Sequence, residues 1–299
     1  MSDYLFGIDL GGTKIECAVI DPEDFEQPIS RLRIPTEADL GYEHILDQIQ
    51  KVLERTLEES GLPRPERIGI GTPGVLDPDT RVMKGSNTTC LLGKPMKDDL
   101  EARTGSELVM ANDANCFALA EAHFGCARDY ETVFGVILGT GVGGATVVNK
   151  RVLHGRHYIA GEWGQIVIDP NGPMSNYGTR GTVEAHICGP ALERFYAAES
   201  GEKRDLREIV SRAPEDAAAE ATIDRLTHVF AKSIAIIINV LDPHAIVLGG
   251  GVGNIDALYS EKTRSLITEQ IFNARFNGAL LKPQLGDSAG VFGAAMLLI

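Results

Sequence analysis

Two segments of this chain repeat one pattern, and that pattern limits the fold more than any other feature. In FGIDLGGTKIECAVID (6–21) and FGVILGTGVGGATVV (134–148), an apolar run reaches a glycine cluster and a second apolar run resumes almost at once. In the first, Tyr4 to Asp9 and Ile15 to Ile20 read as strands flanking Gly11-Gly12. That spacing predicts a hairpin rather than a strand followed by a helix. A Walker loop and a dinucleotide fingerprint both need a helix directly after their glycines, so neither is present. Glycine turns suit phosphate, because a backbone without Cβ atoms can approach an anion closely. Aligning Gly7 with Gly135 sets GIDLGGT beside GVILGTG, a weak internal repeat. Two such hairpins, one per lobe, predict a nucleotide held in a cleft between lobes.

Elsewhere the periodicity changes. Ile45, Ile49, Val52, Leu53 and Leu57 recur at helical spacing and predict an amphipathic helix within Gly41 to Ser60, ending at Gly61. Arg67 to Ile70 reads as a strand entering GTPG (71–74). Leu108 to Ala111 reads as a strand entering NDANCFALAEAHFG (112–125), where Asn112 or Asp113 caps a helix that stops at Gly125. Thr182 to Ala198 reads as helical, and Gly201 to Glu220 as a charged loop with a short helix. Ile223 to Leu241 is a strongly apolar helix ended by Asp242-Pro243. Ala245 to Leu248 is a strand entering GGGVGN (249–254), and Ala289 to Ile299 closes the chain as a helix. No linker is obvious, so the lobes are expected to exchange segments.

Composition narrows the partners. The 299 residues suit one large domain or two medium lobes. With 28 basic and 42 acidic residues the formal net charge is −14, which repels nucleic acid. A phosphorylated ligand remains compatible, through backbone amides and Mg²⁺. Cys17, Cys90, Cys116, Cys126 and Cys188 are scattered and odd in number, which reads as reduced thiols. Met1 to Asp3 are expected to lead straight into the first strand, with no room for a signal peptide. The longest apolar run, Ile234 to Leu241, is too short to span a bilayer. The expected location is the cytoplasm.

Five motifs in order carry a family resemblance: DLGGTK (9–14), NDANCFALAEA (112–122), GTGVGG (139–144), AGEWG (160–164) and GGGVG (249–253). Together they resemble the ROK family of sugar kinases and sugar-responsive repressors, over nearly the whole chain. The resemblance implies an α/β, actin-like (ribonuclease-H-like) fold with two lobes around an ATP and sugar cleft. The expected lobes are 1–115, rejoined by the C-terminal helix 288–299, and 116–287. A homodimer is also implied.

The resemblance gives roles to individual residues. Gly11, Gly12, Thr13 and Lys14 would hold phosphate oxygens, with Gly139, Thr140, Gly141, Gly143 and Gly144 as the second phosphate loop. Gly249, Gly250 and Gly251 would pass close to adenine and ribose, or serve only as a strand-to-helix turn. Asp9, ending the first strand, would bind Mg²⁺ directly or through water. Asp113 would accept the proton of a sugar hydroxyl aimed at the γ-phosphate of ATP. Helix capping is an equally good reading of that position, and Asn112 could cap while Asp113 reacts. Asn87, Asn112, Glu162, Gln165 and Glu184 complete the expected sugar contacts, with backbone near Thr72-Pro73-Gly74. A carboxylate suits vicinal hydroxyls because it offers several lone pairs. Trp163 is expected to pack rather than stack on sugar.

One stretch departs from the family. Most members carry a His after GE-x-G and then C-x-C-G-x-x-G-C-x-E, four ligands of a structural zinc. Here those positions hold Gln165, Ser175, Tyr177 and Thr182, while Gly178, Gly181 and Glu184 remain. Zinc wants sulfur or nitrogen donors, so no structural zinc is expected. The loop must be held by packing and hydrogen bonds. A substitute cluster of His154, His157, His186 and Cys188 is the alternative.

The leading reading is an ATP-dependent hexose or N-acetylhexosamine kinase acting at O6. A repressor is disfavoured because no DNA-binding segment precedes the hairpin within these residues and the chain is acidic. A sugar-responsive regulator without catalysis is the alternative, with Asp9 and Asp113 arguing against it. Polyphosphate as donor would call for a basic track, and no lysine or arginine cluster is visible along the sequence.

Overall fold

The computed structural model describes residues 4–25 and 27–299. Met1 to Asp3, expected to lead straight into the first strand, and Glu26 lie outside the described residues. The chain opens with β1 (Leu5–Leu10), β2 (Lys14–Ile20) and β3 (Ser30–Pro35), then α1 (Tyr42–Ser60) and β4 (Arg67–Thr72). A small hairpin of β5 (Val75–Leu76) and β6 (Met83–Lys84) precedes α2 (Met96–Thr104), β7 (Glu107–Asn112) and α3 (Asp113–His123). The second hairpin is β8 (Thr132–Leu138) and β9 (Val142–Val148), followed by β10 (Arg151–Val152). Next come α4 (Val183–Ile187), α5 (Gly189–Ser200), α6 (Leu206–Arg212) and α7 (Ala217–Leu241). β11 (Ala245–Gly249), α8 (Gly250–Gly253), α9 (Glu261–Thr268), β12 (Ala279–Leu281) and α10 (Ala289–Met296) complete the chain.

Two compact units divide these elements. One holds residues 1–129, 146–160 and 284–299, the other 130–145 and 161–283. One five-stranded sheet has the order β3-β2-β1-β4-β7 and the other β10-β9-β8-β11-β12. Numbered within each sheet, both read 3-2-1-4-5, so the weak repeat at the glycine hairpins reflects one topology used twice. In the first sheet β1 runs antiparallel to β2 and parallel to β4, and β4 is parallel to β7. In the second, β11 is parallel to both β8 and β12.

In the first unit the helical stripe of α1 behaves as its spacing predicts. Ile45, Ile49, Val52 and Leu53 are buried among Phe6, Ile8, Leu10 and Ile68. Gly61, left-handed at φ 67°, closes the helix with its N–H on the Leu57 carbonyl at 3.0 Å. α10 packs against β1, β4 and α3. It sits so close that a Cβ at Gly69 would lie 1.7 Å from the Ala294 carbonyl oxygen, and one at Gly293 would lie 1.8 Å from that of Cys116. Glycine is needed there for backbone-to-backbone approach. Glu121 of α3, fully buried, accepts from the N–H groups of Cys126, Gln284 and Leu285 at 2.9–3.1 Å and so ties down the chain entering α10.

In the second unit Trp163 is buried as expected. It stands edge-on to Phe134 and Phe230, and its indole N–H donates to the Gly143 carbonyl at 2.8 Å. The helix expected over Thr182 to Ala198 is two helices. Cys188 is extended between them (φ −67°, ψ 158°), because Pro190 has no N–H to continue the ladder and sits instead in the first turn of α5. α7 begins six residues earlier than its apolar run, where Asp216 caps the N–H groups of Ala218 and Ala219. α10 stops at Met296 rather than Ile299. No described helix is long and apolar enough to cross a membrane. The five cysteines are free thiols.

Candidate active site

The first glycine hairpin closes through the Gly11 N–H on the Lys14 carbonyl at 2.9 Å. Thr36, just past the end of β3, braces it, with its hydroxyl on the Gly11 carbonyl at 2.7 Å and its N–H on that of Thr13 at 3.0 Å. Gly12 and Thr13 are exposed at the tip, and a Cβ at Gly12 would meet no atom within 4 Å. Packing therefore does not require glycine at that position, and its backbone is open to close approach. Lys14 is not free: its ammonium pairs with Asp287 at 3.0 Å.

Asp9 lies in a slot with glycine walls. A Cβ at Gly290 would come within 2.5 Å of its Oδ2, and one at Gly71 within 3.5 Å of its Oδ1. Burial, then the charges of Asp113 and Glu16, push the Asp9 carboxyl up to about 6.

Asp113 opens α3. The sequence left the helix cap undecided between Asn112 and Asp113, and the structure decides it. Asn112 is the cap, its Oδ1 accepting from the Asn115 N–H at 2.8 Å. Asp113 accepts from the Ala114 N–H at 2.8 Å and stays open to solvent. The surrounding protein mass raises its carboxyl above the usual range, an effect opposed by the backbone bond to Ala114. Thr72 is buried, with its hydroxyl facing the carbonyls of Gly74 (3.2 Å) and Ala111 (3.3 Å). Asn87 is exposed beside a turn in which the Ser86 hydroxyl accepts from the Thr88 N–H at 3.1 Å.

The chemistry of Asp9 fits Mg²⁺. It is a hard oxygen donor near enough to Asp113 for their charges to repel, and a divalent cation relieves that repulsion. Among the described residues no group of three or more His, Cys, Asp or Glu could hold a metal. A single carboxylate suffices for Mg²⁺, which keeps waters and uses substrate phosphates for its other positions.

In the second unit Gly139, Thr140 and Gly141 form the hairpin turn, with the Gly139 N–H on the Gly141 carbonyl at 2.9 Å. Gly189, first residue of α5, donates its N–H to the Gly139 carbonyl at 2.8 Å. Gly143 and Gly144 belong to β9. Gly144 is buried, and a Cβ there would lie 2.6 Å from Trp163 Cδ1, so packing alone requires that glycine. Gly250 is held at φ 80° with the Leu138 carbonyl 2.2 Å from where its Cβ would be, which makes it a structural turn. Gly249 ends β11 buried, while Gly251 faces open space.

Glu184 is buried on α4, and its Oε2 accepts the Val142 N–H at 3.0 Å. A Cβ at Gly141 would lie 2.9 Å from the same oxygen. The expected sugar carboxylate is therefore seated on the expected phosphate hairpin. Tyr177, half exposed, has its hydroxyl pKa raised by burial and then by the charges of Glu184 and Glu162. Its phenol thus shares their surroundings, which spacing along the sequence did not indicate. Gln165 is partly buried at the end of the turn Trp163–Gln165.

Hydroxyls hold the loop that lacks zinc ligands. Ser175 Oγ accepts from the N–H groups of Tyr177 (3.3 Å) and Thr179 (3.2 Å). Thr182 Oγ1 caps α4 by accepting from the Ala185 N–H at 3.3 Å. Backbone bridges Val167–Thr182 and Met174–Arg180 complete the support. His186 Nδ1 meets Arg225 Nη2 at 2.5 Å. Because a guanidinium only donates, Nδ1 is the acceptor and the proton is on Nε2.

No basic cluster is visible along the sequence, yet strand register assembles one. Arg31 and Arg33 of β3 both bind Glu16 of β2, and Arg33 and Lys14 both bind Asp287. The period-2 spacing of Lys14 and Glu16, and of Arg31 and Arg33, was the available signal.

The profile of the ROK family matches residues 5–299. An N-acetyl-D-glucosamine kinase of Vibrio parahaemolyticus is 35% identical over 305 residues, covering 98% of this chain and 99% of that protein. The crystal structure of a ROK hexokinase from Thermus thermophilus superposes with a TM-score of 0.85 at 32% identity, covering 98% and 97% of the two chains. A ROK family glucokinase from Streptomyces griseus, in complex with glucose and AMPPNP, gives a TM-score of 0.76 at 28% identity, covering 98% of each.

Proposed function

The chain belongs to the ROK family and has its actin-like fold, and from that premise we propose that it is an ATP-dependent sugar kinase phosphorylating O6 of an N-acetylhexosamine. The observation that carries the reading is the division of labour at α3. Asn112 takes the cap, which leaves the Asp113 carboxylate open, held by the Ala114 N–H and raised in pKa, as suits a general base. The acceptor class is taken from the 35% identical N-acetyl-D-glucosamine kinase.

In the reaction, Asp113 accepts the proton of the sugar hydroxyl while that oxygen attacks the γ-phosphorus of ATP in line. The new O–P bond forms as the bridging bond to the β-phosphate breaks, and ADP leaves. Mg²⁺ held by Asp9 would neutralise phosphate charge. Exposed backbone at Gly12 and Thr13, and at the Gly139–Gly141 turn, supports the phosphates. Glu162, Glu184, Gln165, Asn87 and the Asn112 amide accept from or donate to sugar hydroxyls and the N-acetyl group. The proposal includes a cytoplasmic homodimer, checked by sedimentation.

A coupled ADP-release assay with Mg-ATP tests it, over N-acetylglucosamine, N-acetylmannosamine, glucose, mannose and fructose. Turnover on an N-acetylhexosamine, with ³¹P NMR placing phosphate on O6, is expected. Absence of turnover on every sugar, in folded protein that binds ATP, favours the regulator reading instead.

A further inference from the structure

Strand pairing puts Asp9, Glu16 and Arg33 in one row across β1, β2 and β3. Directly paired residues share a face of the sheet, and Lys14, two residues before Glu16, stands on that face too. Glu16 is 1% exposed and occupies the inner side of the row, accepting from Arg31 Nε and from Arg33 Nε (3.1 Å) and Nη2 (2.7 Å). One guanidinium nitrogen of Arg33 remains, and Nη1 reaches Asp287 Oδ2 at 3.2 Å. The same oxygen takes Lys14 Nζ at 3.0 Å. Asp287 is 74% exposed.

We propose that Arg33 joins Lys14, already expected on phosphate from the resemblance, in docking the phosphate tail of the phosphoryl donor, and that Asp287 holds the pair until the donor displaces it. The identity of the donor rests on the kinase reading; the pair itself does not. Exposed ion pairs are weak, so Asp287 is a weak occupant. A phosphate group offers more charge and more acceptor oxygens, and its bonds to ammonium and guanidinium are charge-assisted. Lys14 directly follows the exposed Gly12-Thr13 tip, and Asp9 lies in the same row as Arg33. In a chain of net charge −14, locally placed cations favour an anionic ligand, and Glu16 fixes the Arg33 guanidinium.

Calorimetric titration of the whole chain with magnesium pyrophosphate, without sugar, tests this. Asp287→Asn is expected to tighten pyrophosphate binding about three- to tenfold, by removing the internal competitor. Lys14→Met and Arg33→Met are expected to weaken it about tenfold each. The gain should vanish in Asp287→Asn combined with Arg33→Met. Unchanged or weaker binding in Asp287→Asn, reproduced in Asp287→Ser with native melting temperatures, overturns the proposal. Pyrophosphate binding needs no turnover, so absence of sugar phosphorylation would sink the function reading and leave the docking pair standing.

Discussion

Glu184 and Val142 are 42 residues apart in the chain, and the Glu184 carboxylate accepts the Val142 N–H at 3.0 Å. One oxygen of the proposed sugar carboxylate is thus committed to the proposed phosphate hairpin, and the other remains for a ligand. Glu184→Ala should raise KM for both sugar and ATP, each by about tenfold, since a buried N–H loses its acceptor. Glu184→Gln keeps an acceptor for Val142 and should raise KM for sugar alone. Steady-state kinetics with each substrate varied in turn separates the two.

Asp113→Asn should lower kcat by at least about 10²-fold, the usual range for a lost general base. Because Asn112 performs the capping, the melting temperature should stay within a degree or two. A large fall in stability would instead mark Asp113 as part of the cap.

Asp9→Asn should abolish magnesium-dependent turnover and yet stabilise the fold. The Asp9 carboxyl titrates near 6 in the folded chain against an ordinary value of 3.8. The folded state therefore holds its proton more tightly, and stability is lost as pH rises from about 4 to about 6. The variant escapes that loss, worth up to about 3 kcal/mol above pH 6 and nothing below pH 4. Urea denaturation at pH 4 and pH 7.5 measures it, and equal stability of the two proteins at pH 7.5 would refute the strain.

Ser175→Ala and Thr182→Ala should each cost about 1 kcal/mol, because each removes a hydroxyl acceptor from backbone donors in the loop or at the α4 cap. A zinc-selective chelator in excess Mg²⁺ should leave activity and melting temperature unchanged. A chelator-induced drop in melting temperature would mean that a metal holds the loop.

Glu121→Gln should lower the melting temperature strongly. Its carboxylate accepts from the N–H groups of Cys126, Gln284 and Leu285, and an amide NH₂ would face donors with a donor. A loss of about 3 kcal/mol corresponds to a fall of roughly 6–10 °C. Differential scanning calorimetry reads it directly.

Local elements were legible wherever one period dominated. The stripe of α1 and its Gly61 stop, both glycine hairpins and the capped start of α3 follow from spacing and side-chain chemistry near each residue. β3, α2, α9 and β12 were not read, because their short or mixed apolar patterns gain meaning only from what they pack against. α4 and α5 were read as one helix because the apolar pattern runs through Cys188, although Pro190 was there to be weighed.

The sequence by itself determined which residues are candidates for phosphate and sugar, since glycine turns and carboxylates are local properties. Tertiary structure alone decided what each became. Gly144 serves Trp163, Gly250 serves a turn against Leu138, and a Cβ at Gly12 would meet no atom within 4 Å, though all three look alike in the sequence. Lys14, Arg31, Arg33, Glu16 and Asp287 became one network because strand register and the return of the chain into α10 bring them together. Charge interactions fall off with distance in space, and distance in space is what only the fold sets.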